Sequence, residues 1–165
     1  MAVTPPSTAG VFLDTSVLLA GLVDFGPQSA PAQSLLHAVA EKQVTAPATA
    51  WHCCLEVYSV ATRLPPEYRL APAEAVRLIR EEILARLAVH DLPPADREAF
   101  LAALVPEAIA GGRVYDAHIA EVARAAGAEV IVTDNRRHFL AALRHGIRVE
   151  TPPEFLAARR RRDQR

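Results

Sequence analysis

Apolar positions along the chain fall into two alternating kinds of run. Short unbroken stretches at 10–14 (GVFLD), 87–92 (LAVHDL) and 129–133 (EVIVT) have the length and continuity of strands buried on both faces. Between them, apolar residues return every three or four positions, the spacing of one helical face. This predicts helices over 17–22, 30–42, 48–64, 72–86, 95–109 and 113–126. Two further strands are predicted at 44–46, ended by Pro47, and at 147–150 past Gly146, with short helices over 137–144 and 154–161. Thr15 and Ser16 are placed to cap the first helix, and Gly127 to stop the one before it in sequence.

The same spacing assigns buried faces. Leu35, Leu36 and Val39 form one on helix 30–42. Trp51, Cys54, Leu55, Tyr58 and Ala61 form another on helix 48–64, and Tyr115, Ile119, Val122 and Ala126 a third on helix 113–126. Strands separated by helices imply a parallel sheet covered on both sides, a three-layer α/β/α fold of four to five strands. With neither repeat nor linker, the reading is one domain over 10–157. A Pro/Ser/Thr-rich arm at 1–9 precedes it and a basic tail at 158–165, with Arg159 to Arg162, follows it.

Composition sharpens this picture in two ways. Half the residues are apolar (51%) but only 5% aromatic, so the core is built from Ala, Leu and Val. A net charge of −1 gives no overall steering toward nucleic acid, and Lys42 is the sole lysine. Cys53 and Cys54 are adjacent and without other partners, which predicts free thiols in a reducing compartment. The first residues lack a charged segment followed by a long apolar one, and no apolar run approaches the ~20 residues of a membrane span. The expectation is a cytoplasmic protein with no membrane attachment.

Ligands of such sheets bind beyond the carboxyl ends of the strands, and acidic residues gather there. Asp14 follows the first strand and Asp134 follows the strand at 129–133. Asp116 lies in the first turns of the preceding helix, and Glu56 at the border of the buried face of helix 48–64. An Asp at a strand end is by itself commonly a turn or cap residue. Several converging carboxylates, however, demand a cation or shifted protonation, and an all-oxygen set suits Mg²⁺ or Mn²⁺. Ala120 and Ala123, at i+4 and i+7 from Asp116, leave room for a neighbouring element.

FLDTSVLLA at 12–20, LEVYSVATRL at 55–64, VYDAHIAEVARAAGAEVIVTDNRRHF at 114–139 and PPEFL at 152–156 together resemble PIN domains, above all the VapC-type toxin ribonucleases. The resemblance spans nearly the whole chain. It implies a ribonuclease dependent on Mg²⁺ or Mn²⁺, with Asp14 and Asp116 as principal metal-binding aspartates and Glu56 as the acid on the central helix. The family pattern Thr-x-Asp or Thr-x-Asn aligns with Thr133 and Asn135, leaving Asp134 at the variable position; either Asp134 or Asn135 is then the fourth site residue. The implied partners are an RNA substrate, a cognate antitoxin and a second copy in a homodimer.

His52, His118 and His138 are assigned no catalytic part: His52 is an incidental neighbour of Glu56, His118 points elsewhere, and His138-Phe139 anchors a short helix. Arg113, Arg136 and Arg137 are candidates for phosphate contact. A phosphate-receiving regulator needs a late lysine, a haloacid-dehalogenase-type phosphatase an Asp where Ser16 stands, and a P-loop enzyme a GxxxxGK[ST] run; all three are excluded. The alternative kept open is a PIN-like scaffold that binds RNA or a protein without cutting.

Overall fold

The structure, a computed structural model, describes residues 10–143 and 145–164. The arm at 1–9 lies outside the described residues. Five strands form one parallel sheet: β1 (Val11–Leu13), β2 (Pro47–Ala50), β3 (Ala88–His90), β4 (Val130–Val132) and β5 (Arg148–Glu150), in the order β3-β2-β1-β4-β5. The helices are α1 (Thr15–Leu22), α2 (Ala30–Ala40), α3 (Trp51–Ala61), α4 (Pro72–Leu78), α5 (Arg97–Leu104), α6 (Arg113–Ala125), α7 (Leu140–Leu143) and α8 (Pro152–Asp163). The three-layer α/β/α architecture expected from the alternation is present.

β1 is the central strand, paired with β2 on one side and β4 on the other, and every residue of β1 and β4 is buried. Phe12 and Leu13 are fully covered, as the unbroken apolar run requires. The chain builds β1, β2 and β3 outward in one direction and then crosses to β4 and β5 on the other. The strand order thus reverses between β1 and β4, the crevice where ligands of open parallel sheets bind.

Several boundaries differ from the sequence reading. The second strand is at Pro47–Ala50, not 44–46; its Pro47 pairs opposite Val11 as the strand's first residue, where a missing N–H is tolerated. Ala46 turns through φ 43° just before it, and its carbonyl accepts from the N–H of Gly10 at 2.9 Å. β2 runs straight into α3, so the strand direction sets which helix face is covered. That face is Cys53, Cys54, Val57 and Ala61, while Trp51 (45% exposed), Leu55 (52%) and Tyr58 lie open. Tyr115 on α6 is also exposed, although Ile119 and Val122 are buried as expected.

The predicted helix 72–86 is α4 followed by a π-helical turn at Ile79–Leu84. Its buried residues Ala75, Ile79, Ile83 and Leu87 recur every four positions. A straight α-helix would rotate such a row by roughly 40° per step, and the wider π turn offsets that drift. The predicted helix 95–109 shortens to a 3-10 turn and α5, which ends before Pro106. Thr151 caps α8 in a reciprocal capping box with Glu154. Cys53 and Cys54 are free and buried. Among the described residues no helix is long and apolar enough to cross a membrane.

Candidate active site

Three consecutive residues at the carboxyl end of β1 organise the site. Asp14 is 4% exposed, and its Oδ2 accepts from Thr133 Oγ1 at 2.8 Å and from Ser16 Oγ at 2.9 Å. Thr15 Oγ1 donates to Glu56 Oε2 at 2.6 Å, joining α1 to α3. Ser16 Oγ accepts from the Asp134 N–H at 3.1 Å and lies 3.4 Å from Thr133 Oγ1. The expectation that Thr15 and Ser16 cap α1 is therefore corrected: Asp14 is the N-terminal boundary residue, without a side-chain cap bond, and both hydroxyls serve the acids. The Asp14 N–H in turn donates to the Val132 carbonyl at 3.1 Å, which ties the acid's backbone to β4.

Helix direction brings in the other acids. Helices after parallel strands begin at the carboxyl edge of the sheet, so the early turns of α3 and α6 present Glu56 and Asp116 there. Asp116 Oδ2 is 3.1 Å from His138 Nδ1, and His52 Nε2 is 3.9 Å from Glu56 Oε2. His52 stacks on Tyr115 with ring centres 5.1 Å apart. His138 and His52, set aside in the sequence reading, therefore touch the acids. Phe139 is fully buried, so it alone anchors the short 3-10 turn from Arg136 to Phe139. His118 points away from the carboxylates, toward His52 and Phe100, as expected.

Electrostatics follow from burial. Desolvation raises the Asp14 carboxyl above its ordinary range; the Thr133 and Ser16 hydroxyls oppose this, and the charge of Glu56 reinforces it. Asp116 is likewise raised by desolvation, with His138, His52 and Arg113 opposing and Glu56 adding. Desolvation also raises Asp134. Asp134 and Asn135 are held through their backbones: the Asn135 N–H donates to Thr133 Oγ1 at 2.9 Å, and both side chains are exposed at the strand end. Of the arginines, Arg136 is engaged by Glu154 at 2.8 Å, whereas Arg113 and Arg137 line a hollow that Asp116 also lines.

The donor set suits a hard divalent cation in its chemistry. Its carboxylate oxygens carry mutual repulsion that a cation would relieve. The coordination sphere is not closed, however: among the described residues, no group of three or more His, Cys, Asp or Glu side chains already stands close enough to hold a metal ion.

The PIN domain family matches residues 10–137 of the chain, which include Asp14, Glu56, Asp116, Asp134 and Asn135. The chain is a PIN-domain protein. Ribonuclease VapC40 of Mycobacterium tuberculosis is 32% identical to it over 127 residues, 74% of this chain and 85% of that protein. Ribonuclease VapC27 of the same species is 41% identical over 85 residues, 52% of this chain; the matched segment spans 60% of that protein. The crystal structure of M. tuberculosis VapC20, a toxin that cleaves the sarcin-ricin loop, superposes with a TM-score of 0.61 at 19% identity, covering 81% of this chain and 95% of that one. This PIN-domain protein is thus homologous to VapC-type ribonucleases and shares their fold.

Proposed function

We propose that this PIN-domain protein is a metal-dependent ribonuclease, acting in the cytoplasm as the toxin of a toxin–antitoxin pair. The observation that supports it most is the buried Asp14, oriented by two hydroxyl donors and linked through Thr15 to Glu56 with Asp116 alongside. A buried carboxylate so braced is costly for the fold unless it serves a cation. The homologous mycobacterial proteins named as ribonucleases support the same reading.

In this reading Asp14, Glu56 and Asp116 would hold Mg²⁺ or Mn²⁺, with Asp134 or Asn135 as the fourth position, and the bound ion would supply Lewis-acid chemistry toward an RNA phosphodiester and water. Thr133 and Ser16 hold Asp14 in one orientation, and Thr15 does the same for Glu56. His138 positions Asp116, while Arg113 and Arg137 attract the RNA backbone toward the acids. The open Trp51, Leu55 and Tyr58 on α3 offer an apolar surface suited to an antitoxin segment or a second copy in a homodimer.

The test is cleavage of a mixed structured RNA pool with Mg²⁺, Mn²⁺ or EDTA by wild type, Asp14→Asn and Asp116→Asn. Metal-dependent cutting by wild type should fall by roughly 10³-fold in both variants; full activity in either would remove that residue from the site. The open coordination sphere favours a second reading, a scaffold that binds RNA or a partner without cutting. Folded wild type that cuts with neither metal would support it.

A further inference from the structure

Immediately beside Asp116 the seam between α5 and α6 is not filled. Its facing positions are alanines, Ala99 and Ala103 on α5 and Ala117 and Ala120 on α6, and the small side chains leave a hollow of about 540 Å³. Phe100 and Leu140 add apolar wall. α5 contributes no buried residue, so the hollow opens to solvent along one side.

Its polar groups are distributed unevenly. About two turns along α6 from Asp116, Arg124 is bound to Glu121 at 2.7 Å and lies 3.9 Å from Asp96, so those charges are largely satisfied among themselves. His138 lies 3.1 Å from Asp116, the charge of Arg113 also reaches that carboxyl, and Arg137 is a further cation on the lining. Arg137 has no carboxylate partner among the described residues. A hollow walled by alanines and Phe100, continuous with Asp116 and carrying both arginines and the carboxylates of Asp96, Glu107 and Glu121 on its lining, matches one nucleotide: a flat heterocycle against the small side chains and its phosphate toward the arginines.

We propose that this hollow seats one unstacked nucleobase of single-stranded RNA while the adjoining phosphate lies over the acids. The inference rests on the ribonuclease reading and names its substrate class. It makes the α5–α6 seam the specificity-determining part of the site, with the bound Arg124–Glu121 pair offering a donor and an acceptor to the base edge.

Ala103, exposed on α5, permits a direct test because filling the slot there disturbs no buried contact. With a short randomised single-stranded RNA pool, Ala103→Trp should raise KM by roughly 10-fold with kcat little changed. It should also flatten base preference at one position beside the cut, while Ala102→Trp, equally exposed on α5 but off the lining of the hollow, behaves as wild type. Thermal melts of both variants check folding. In parallel, Asp14→Asn protein is titrated with intact RNAs and with RNAs abasic at single positions; one abasic position should weaken binding by roughly 10-fold.

Unchanged KM and preference in Ala103→Trp, with metal-dependent cutting by wild type, would overturn the hollow and leave the ribonuclease reading standing. If wild type cuts nothing, the ribonuclease reading falls and the abasic series decides alone. Equal binding of all abasic RNAs, or none of any, overturns the base site and leaves the slot to an apolar protein side chain.

Discussion

The two aspartates at the centre of the site are held in opposite ways. Asp14 sits at the end of the central strand, buried, with two hydroxyl donors on one oxygen and its backbone bonded to β4. Asp116 sits on the first turn of α6, partly exposed, with a histidine from an exposed 3-10 turn as its close partner and an open hollow behind it. The first is positioned by the sheet itself; the second by a helix and by the exposed side chain of His138. Under the proposed ribonuclease function, a site that grips an ion and admits a polymer would gain from that division, the sheet side defining the reacting position and the looser side accommodating substrate.

Three changes probe the contrast. Thr133→Val removes the main donor to Asp14 without changing side-chain size, and should lower metal affinity or cleavage by roughly 10- to 100-fold. It should also cost about 1–2 kcal/mol of stability in denaturant titrations, because Asp14 loses a buried partner. An effect no larger than that of a surface substitution would show that the sheet side is not the rigid one.

On the looser side, His138→Gln should be milder, a loss of roughly 10-fold or less in cleavage, with thermal stability unchanged because the ring is exposed. If it matched Thr133→Val, the distinction between the two aspartates would fail.

The smallest expected effect concerns stability and pH. Burial raises the Asp14 carboxyl, so the native state holds its proton more tightly than the unfolded chain. The associated stability is full below the ordinary aspartate value, about 4, and is lost as pH rises through the raised native one. Metal-free protein should therefore melt at lower temperature at neutral than at mildly acidic pH. Asp14→Asn should flatten that slope and raise the neutral melting temperature, since Asn still accepts both hydroxyl bonds and carries no charge. Adding Mg²⁺ or Mn²⁺ should raise the melting temperature of wild type more than that of the variant. An identical slope in both proteins would place the liability elsewhere.

The rigid side was also the legible side. β1 and β4 announce themselves as unbroken apolar runs, with Asp14 and Thr133-Asp134 directly after them. β2 was displaced because Pro47-Ala-Thr-Ala has little intrinsic strand signal and exists through pairing with β1 and β3. The covered face of α3 differs from the predicted stripe because the three-and-four spacing is also met by a neighbouring face of the same helix. Cys53, Cys54, Val57 and Ala61 win because α3 leaves β2 without a loop, and the larger Trp51, Leu55 and Tyr58 turn outward. The His138–Asp116 contact joins residues 22 apart, with most of α6 and all of β4 between them, and no periodicity encodes it. The hollow is written only as alanines on two helices, a pattern indistinguishable from close packing until the helix separation is known.

The trio Asp14, Thr15 and Ser16 has one more consequence. Each residue binds a different part of the molecule: Asp14 the Thr133 side chain, Thr15 the Glu56 carboxylate, and Ser16 the backbone after β4. Three adjacent links in one stretch of backbone act as a single cooperative unit, so opening any one of them strains the other two. The carboxyl end of β1 is thus tied at once to α3 and to the segment after β4, and an inserted residue between Leu13 and Val17 would put all three links out of register together.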